Sequence, residues 1–359
     1  MRITVAVAAA FLVATSLASG QERSTPKQTV LALSKQDHTV SIIDPSIMKI
    51  VATVPVGDDP HEIVASSDGR TAYVSNYGFG RFHSLAVIDL IAQKQLPFIE
   101  LGALKGPHGL DFVDGKVWFT AEAAKAIGSY DPAAKKIDWI MGTGQNRTHM
   151  IYVFSGAKRI LTTNVNSATV TILDKTNHPA GMPSGPSPSM QPGTNGTPPP
   201  GRRMGPPPGP PGGDWEETVI PVGHGSEGFD VSPDGKQAWV ANAQDGTISV
   251  IDLAAKKVVA TLHVNVPGAN RLKFTPDGKY VLVSPGSALV VLDTATRKVV
   301  HRLSDIHASG GILMQPDGTR AYVACGRDGY VAAVDLKTWK IVGKADVAGP
   351  DGLAWADRK

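Results

Sequence analysis

Residues 232–262 read SPDGKQAWVANAQDGTISVIDLAAKKVVATL. Asp234-Gly235 and Asp245-Gly246 are turn dipeptides, because Gly takes the positive φ that tight hairpins need. Around them, QAWVAN (237–242), TISVID (247–252) and KVVATLHV (257–264) have strand length and strand composition. GFDVS (228–232) precedes the first turn as a fourth short strand. Four strands joined by tight turns make one antiparallel sheet.

The same pattern recurs along the chain. An Asp closes an apolar run at Asp44, Asp89, Asp131, Asp174, Asp252, Asp293 and Asp335, at spacings of 45, 42, 43, 78, 41 and 42. The long spacing contains residues 177–213, which hold 13 of the 27 prolines and nine glycines. Without those 37 residues it falls to 41. Seven copies of a four-stranded unit at a constant period describe a β-propeller. VLALS (30–34) aligns with strand two of the repeat, and DGLAWAD (351–357) aligns with strand one with no strand two after it. The expectation is an all-β, seven-bladed β-propeller with four-stranded blades, the first blade closed by the C-terminal strand. Closure removes the exposed edges of an open array. The repeated Asp reads as a turn cap. The Pro/Gly-rich insertion 177–213 reads as a disordered excursion from the turn after Asp174.

Composition narrows the function. Lys+Arg number 35 against 32 for Asp+Glu, too even a balance for a nucleic-acid footprint. Cys325 is the single cysteine, which excludes an intramolecular disulfide framework, a Cys-based zinc site and covalent haem. Residues 1–20 read as a signal peptide: Arg2, an apolar run from Ile3 to Leu17, then Ala18-Ser19-Gly20 before Gln21. No later run is apolar enough for a transmembrane segment. Residues 21–359 are therefore expected to be a single exported domain, periplasmic or secreted, and a monomer.

AYVSN (72–76), AWVAN (238–242) and AYVAC (321–325) resemble the YVTN β-propeller repeat family. That likeness implies the lactonase-like seven-bladed fold and does not choose a function. GPHGLDFVDGKVWFTAEAAKAIGSYDP (106–132) is similar to a blade of virginiamycin B lyase, a propeller that opens a cyclic ester with Mg²⁺. Pro107, His108, Gly109, Trp118, Phe119 and Thr120 match that pattern. Ala121 stands where the pattern has Glu, and Glu122 comes one place later. Strand alternation predicts that such a shift turns the carboxylate away.

In a propeller, strand one lines the channel, and the four–one and two–three connections share one face. His61, His108, His149, His224 and His307 fall in or beside four–one connections, and His38 and His83 in two–three loops. His61, His108 and His149 begin strand one in consecutive blades, with Glu62, Glu227, Arg271 and Asp351 at similar positions elsewhere. The expected ligand site at the channel mouth is His61, Glu62, His108, His149, Glu227, Arg271, His307 and Asp351. His61, His108 and His149 are the candidate metal ligands, for Mg, Ca, Zn or Cu. His108, His149 and Glu227 are the catalytic candidates. Against this stands a purely structural role, each ring bonding a neighbouring loop. The two functional expectations are a binding module or scaffold for a small molecule or protein, and a metal-dependent lyase or lactonase acting on a cyclic ester.

Overall fold

The computed structural model describes residues 26–176 and 215–359. The expected signal peptide at 1–20 and the insertion expected to be disordered at 177–213 lie outside the described residues. The described strands form seven four-stranded antiparallel sheets. In the first, Pro350–Asp357 is the innermost strand and pairs with Gln28–Ser34. The other six blades run inner to outer in chain order, with innermost strands Pro60–Ala65, Pro107–Val113, Thr148–Val153, Ser226–Val231, Arg271–Phe274 and Ile312–Met314. These seven strands touch one another in sequence around a closed ring.

Second and third strands carry the core. Leu31, Leu33, Ile42, Val74, Phe119, Leu161, Trp239 and Tyr322 are all fully buried between blades. Trp118, Trp139 and Trp215 meet at tilted angles, with centroids 5.5 and 5.3 Å apart, between the third and fourth blades, as packing rather than a ligand platform. Cys325 is buried, and burial lifts its thiol to about 11, so it is inert at neutral pH. The repeated Asp caps its turn: in six blades one carboxylate oxygen accepts backbone N–H groups two or three residues on, as Asp89 does from Ile91 and Ala92. Asp174, where the insertion begins, instead pairs with Arg159 and Lys256.

The feature that positions the site is a β-bulge near the mouth end of five innermost strands. Pro60 pairs with Asn76 and Ile63 with Val74, so His61 and Glu62 together face the single residue Ser75. His108 and Gly109 face Thr120, His149 and Met150 face Thr163, Glu227 and Gly228 face Ala241, and Asp351 and Gly352 face Leu33. A bulge frees a backbone N–H from the ladder and re-aims side chains. Here hydroxyls take up freed groups: Glu62 N donates to Ser75 Oγ, Gly109 N to Thr120 Oγ1 and Met150 N to Thr163 Oγ1. Thr120 and Thr163 then donate to the carbonyls of His149 and Glu227 in the next blade, at 2.7 Å each. The bulge glycines mark where the neighbouring backbone passes: a Cβ on Gly109 would lie 2.5 Å from His149 O, and one on Gly228 2.5 Å from Asn270 O.

Lower in the channel, Asp111 and Asp230 repeat one device. Asp111 Oδ2 accepts from Val153 N of the next blade at 2.8 Å, and Asp230 Oδ2 from Phe274 N at 2.9 Å. Lys273 pairs with Asp230 at 3.1 Å. Burial, outweighing two backbone hydrogen bonds and Lys273, lifts Asp111 from 3.8 to about 6. A carboxyl raised in the fold binds its proton more tightly there than in the unfolded chain. Its contribution to stability is therefore lost as pH rises from about 4 to about 6. The cost above that range is about 3 kcal/mol. Asp111→Asn keeps one oxygen for Val153 N and removes the charge. The variant should gain up to about 2 kcal/mol in urea unfolding at pH 8, with the gain shrinking toward pH 4. An equal effect at both pH values would contradict this account.

Candidate functional site

The first bulge residue of each of five blades points into the mouth. Asp351, His61, His108, His149 and Glu227 thus form an arc, continued by Arg271 of the sixth blade, around a cavity of about 370 Å³. Glu62, the second bulge residue of its strand, reaches across the channel to pair with Arg271 Nη2. Alternation would have sent it to the other face. Arg271 also donates to Asn270 Oδ1 at 2.7 Å.

A second arc comes from residues just after strand two. Lys35 Nζ lies 2.7 Å from His61 Nε2 and 3.3 Å from Asp351 Oδ2. Tyr77 meets His61 and His108 edge-on, with centroids at 4.9 and 5.2 Å, and its hydroxyl donates to Glu122 Oε2 at 2.5 Å. Glu122 follows the strand Lys116–Ala121, so strand alternation no longer applies to it. It is buried and bonds His149 Nδ1, which corrects the expectation that its side chain turns away. Arg147 precedes the fourth innermost strand and contacts Glu122 at 3.5 Å and Glu227 at 3.3 Å. Asp59 lies 3.2 Å from His61 Nε2. Lys35, Asp59, Tyr77 and Arg147 were not singled out from the sequence, and Glu122 was named there only as turned away. Tyr77, Glu122 and Lys35 were reachable, since two–three connections share the mouth face.

His307 lies outside this assembly. It is half-exposed and pairs with Asp328 at 2.8 Å in the neighbouring loop. The sequence placed it by its four–one connection, but it precedes the strand Ile312–Met314 by too many residues to enter the channel. His224 behaves likewise with Asp245.

The two buried histidines are pushed in opposite directions. His108 and His149 lie tilted against each other with centroids 3.9 Å apart, and both are buried. Burial, reinforced by the positive charge of its neighbours, pushes His108 well below 6.5, so it is neutral. Burial also opposes the charge on His149, but Glu122 and Glu227 outweigh it and raise its value. Its Nε2 lies 2.7 Å from Glu227 Oε2, a charge contact whose angle is poor for a hydrogen bond. Glu227 is itself opposed by burial, yet His149, Arg147 and Arg271 hold it at about 2. Contact with His61, partly offset by burial, holds Asp59 at about 2.

His108 Nδ1 is buried with no hydrogen-bond partner. One ligand atom from each of His108, Glu122 and His149 lies within 4.8 Å of the others. Two imidazoles and a carboxylate suit a divalent metal such as zinc. His61, 4.7 Å from His108 between ring centroids, stands beside this set rather than in it. Around the mouth, the carboxylates Asp59, Glu62, Glu122, Glu227 and Asp351 outnumber Lys35, Arg147 and Arg271, a balance that favours a cation.

Solved structures share the fold of this chain. It is similar to a functionally unknown protein from Desulfotomaculum acetoxidans, at 13% identity and TM-score 0.69 over 92% of this chain and 99% of that one. A protein from Bacteroides uniformis, provisionally described as a 6-phosphogluconolactonase, gives 13% identity and TM-score 0.65 over 92% and 99%. Hydrazine synthase of Kuenenia stuttgartiensis gives 16% identity and TM-score 0.61 over 84% and 90%. At these identities the likeness is one of fold. No family model and no curated protein matches the chain, so the YVTN likeness rests on the repeat residues alone.

Proposed function

We propose that this propeller is an exported enzyme that opens a cyclic ester at the channel mouth, using a divalent cation held by His108, Glu122 and His149. The observation that carries the reading is the buried His108, whose Nδ1 has no hydrogen-bond partner, in a group with Glu122 and His149 whose ligand atoms all lie within 4.8 Å of one another. An unsatisfied buried polar group costs about 1–3 kcal/mol, which coordination of a cation would offset. The likeness of residues 106–132 to virginiamycin B lyase supports the same chemistry.

A bound cation would supply Lewis acidity to the ester carbonyl. The chain's own groups do the rest. His61, oriented by Asp59, takes a proton from the attacking water in a hydrolytic opening, or from substrate carbon in an eliminating one. The ring C–O bond breaks with its electron pair on the leaving oxygen: in hydrolysis the protonated His61 returns its proton to that alkoxide, and in elimination the leaving oxygen is the carboxylate's and the proton passes to solvent. Arg147 and Arg271 face the negative charge of the opened product. Tyr77 and Arg147 hold Glu122 in place.

A second reading, a binding module without turnover, is favoured by how fully the mouth's charges pair with one another: Glu62 with Arg271, Lys35 with Asp351, and Arg147 with Glu227. Such a ring holds its shape without a substrate.

Calorimetric titration of untagged protein with Zn²⁺ and Mg²⁺ tests the site. One equivalent should bind, with His108→Ala and Glu122→Gln each weakening it at least about 100-fold. His61→Ala should leave metal affinity within about twofold while removing lactone opening. Metal bound equally by all three variants would reject the ligand set. Full turnover in His61→Ala would reject the assigned base.

A further inference from the structure

The loop after the second strand of the second blade reads Tyr77-Gly78-Phe79-Gly80-Arg81-Phe82. Its three central residues all lie in left-handed backbone, with φ of 57°, 52° and 81°. For the glycines this is ordinary. Gly78 is also sterically required, since a Cβ there would lie 2.4 Å from the Phe82 ring. For Phe79 it is an outlier, because a bulky residue at positive φ is strained. Such strain persists only where the surroundings over-determine it, and it clusters at functional sites.

The surroundings here are the site itself. Tyr77 N donates to Asp59 O at 3.0 Å, and the Phe79 backbone N–H bonds the Asp59 carboxylate that contacts His61. Gly106 N donates to Phe82 O at 2.7 Å, tying the loop to the connection that leads into His108. The outcome is a phenyl ring 81% exposed, the most exposed of the large apolar side chains among the described residues. Its centroid lies 6.3 Å from that of Tyr77, which in turn touches His61 and His108. An aromatic left in water beside Tyr77, on a loop bonded to Asp59 and to the connection before His108, has the character of a ligand contact.

We infer that Phe79 is a specificity-determining residue, which takes an apolar, ring-bearing substituent of the substrate while the ester lies among His61, His108 and Glu122. This rests on the cyclic-ester reading. It adds that the preferred ester is bulky and apolar on one flank.

The test is calorimetric binding of a five-membered lactone carrying a phenyl group, beside its unsubstituted parent, to wild type, Phe79→Ala and Phe79→Gly in the presence of Zn²⁺. Wild type should prefer the phenyl lactone by about 10-fold. Both variants should bring the two ligands to parity, with the parent's affinity within about twofold of wild type. Phe79→Gly should melt no lower than wild type, because glycine relieves the strain. An undiminished preference in both variants would overturn the assignment while leaving the cyclic-ester reading in place. If wild type bound neither lactone, that reading would fall and the assignment with it. Self-association of wild type that Phe79→Ala abolishes would make the ring a protein contact instead, and would also overturn it.

Discussion

Removing residues 350–359 should abolish cooperative folding. Pro350–Asp357 is the innermost strand of the first blade, paired along its length with Gln28–Ser34. It also touches the innermost strands of the second and seventh blades. Without it, the fully buried Val30, Leu31, Ala32 and Leu33 lose one neighbour, and an unpaired edge opens where the ring had none. Six residue pairs of the ladder are lost together with their apolar cover, on the order of 10 kcal/mol, which matches the whole stability of an ordinary domain. Circular dichroism of the truncated chain should show no sharp thermal transition. Adding a peptide of residues 346–359 should restore one. A truncated protein that melts within a few degrees of wild type would show that the ring does not depend on its closing strand.

The second large effect belongs to the ion pair across the channel. Arg271→Met should cost about 3–5 kcal/mol, because it leaves the Glu62 carboxylate facing the channel without its counter-charge. Neutralising both, as Arg271→Met with Glu62→Gln, should recover most of that loss. Recovery should be incomplete, since Arg271 also donates to Asn270. Urea unfolding of the two single variants and the double variant measures the coupling. Additive losses would mean that the two side chains act independently.

The fold was legible because every copy of the repeat carries the same local chemistry. Asp-Gly turns, alternating apolar runs and a capping Asp at constant period leave one closed arrangement. Most of the mouth was legible for the same reason: His61, His108, His149, Glu227 and Asp351 share a repeat position, and the ring turns a shared position into a shared place. Glu122 was misjudged because alternation was carried one residue past the end of its strand. Glu62 shows the same limit from within a strand, where the bulge gives two successive residues the channel side. Asp59 and Arg147 stand two residues before His61 and His149, at the left-handed position that Gly106, Gly225 and Gly349 fill in the other bulged blades, a shared place the sequence reading passed over. His307 failed in the opposite sense: the right connection, but too far from the strand.

The bulge also separates two properties that are usually bound together. In the five bulged blades, the ladder pairs the residues on either side and leaves the first bulge residue without a partner of its own across the strand. Folding information thus resides in the paired positions and in the hydroxyls that hold the bulge, while chemical identity resides at a place the pairing does not read. Among these five positions stand one aspartate, one glutamate and three histidines. One scaffold can therefore change what it recognises blade by blade, with the repeat that builds it left intact.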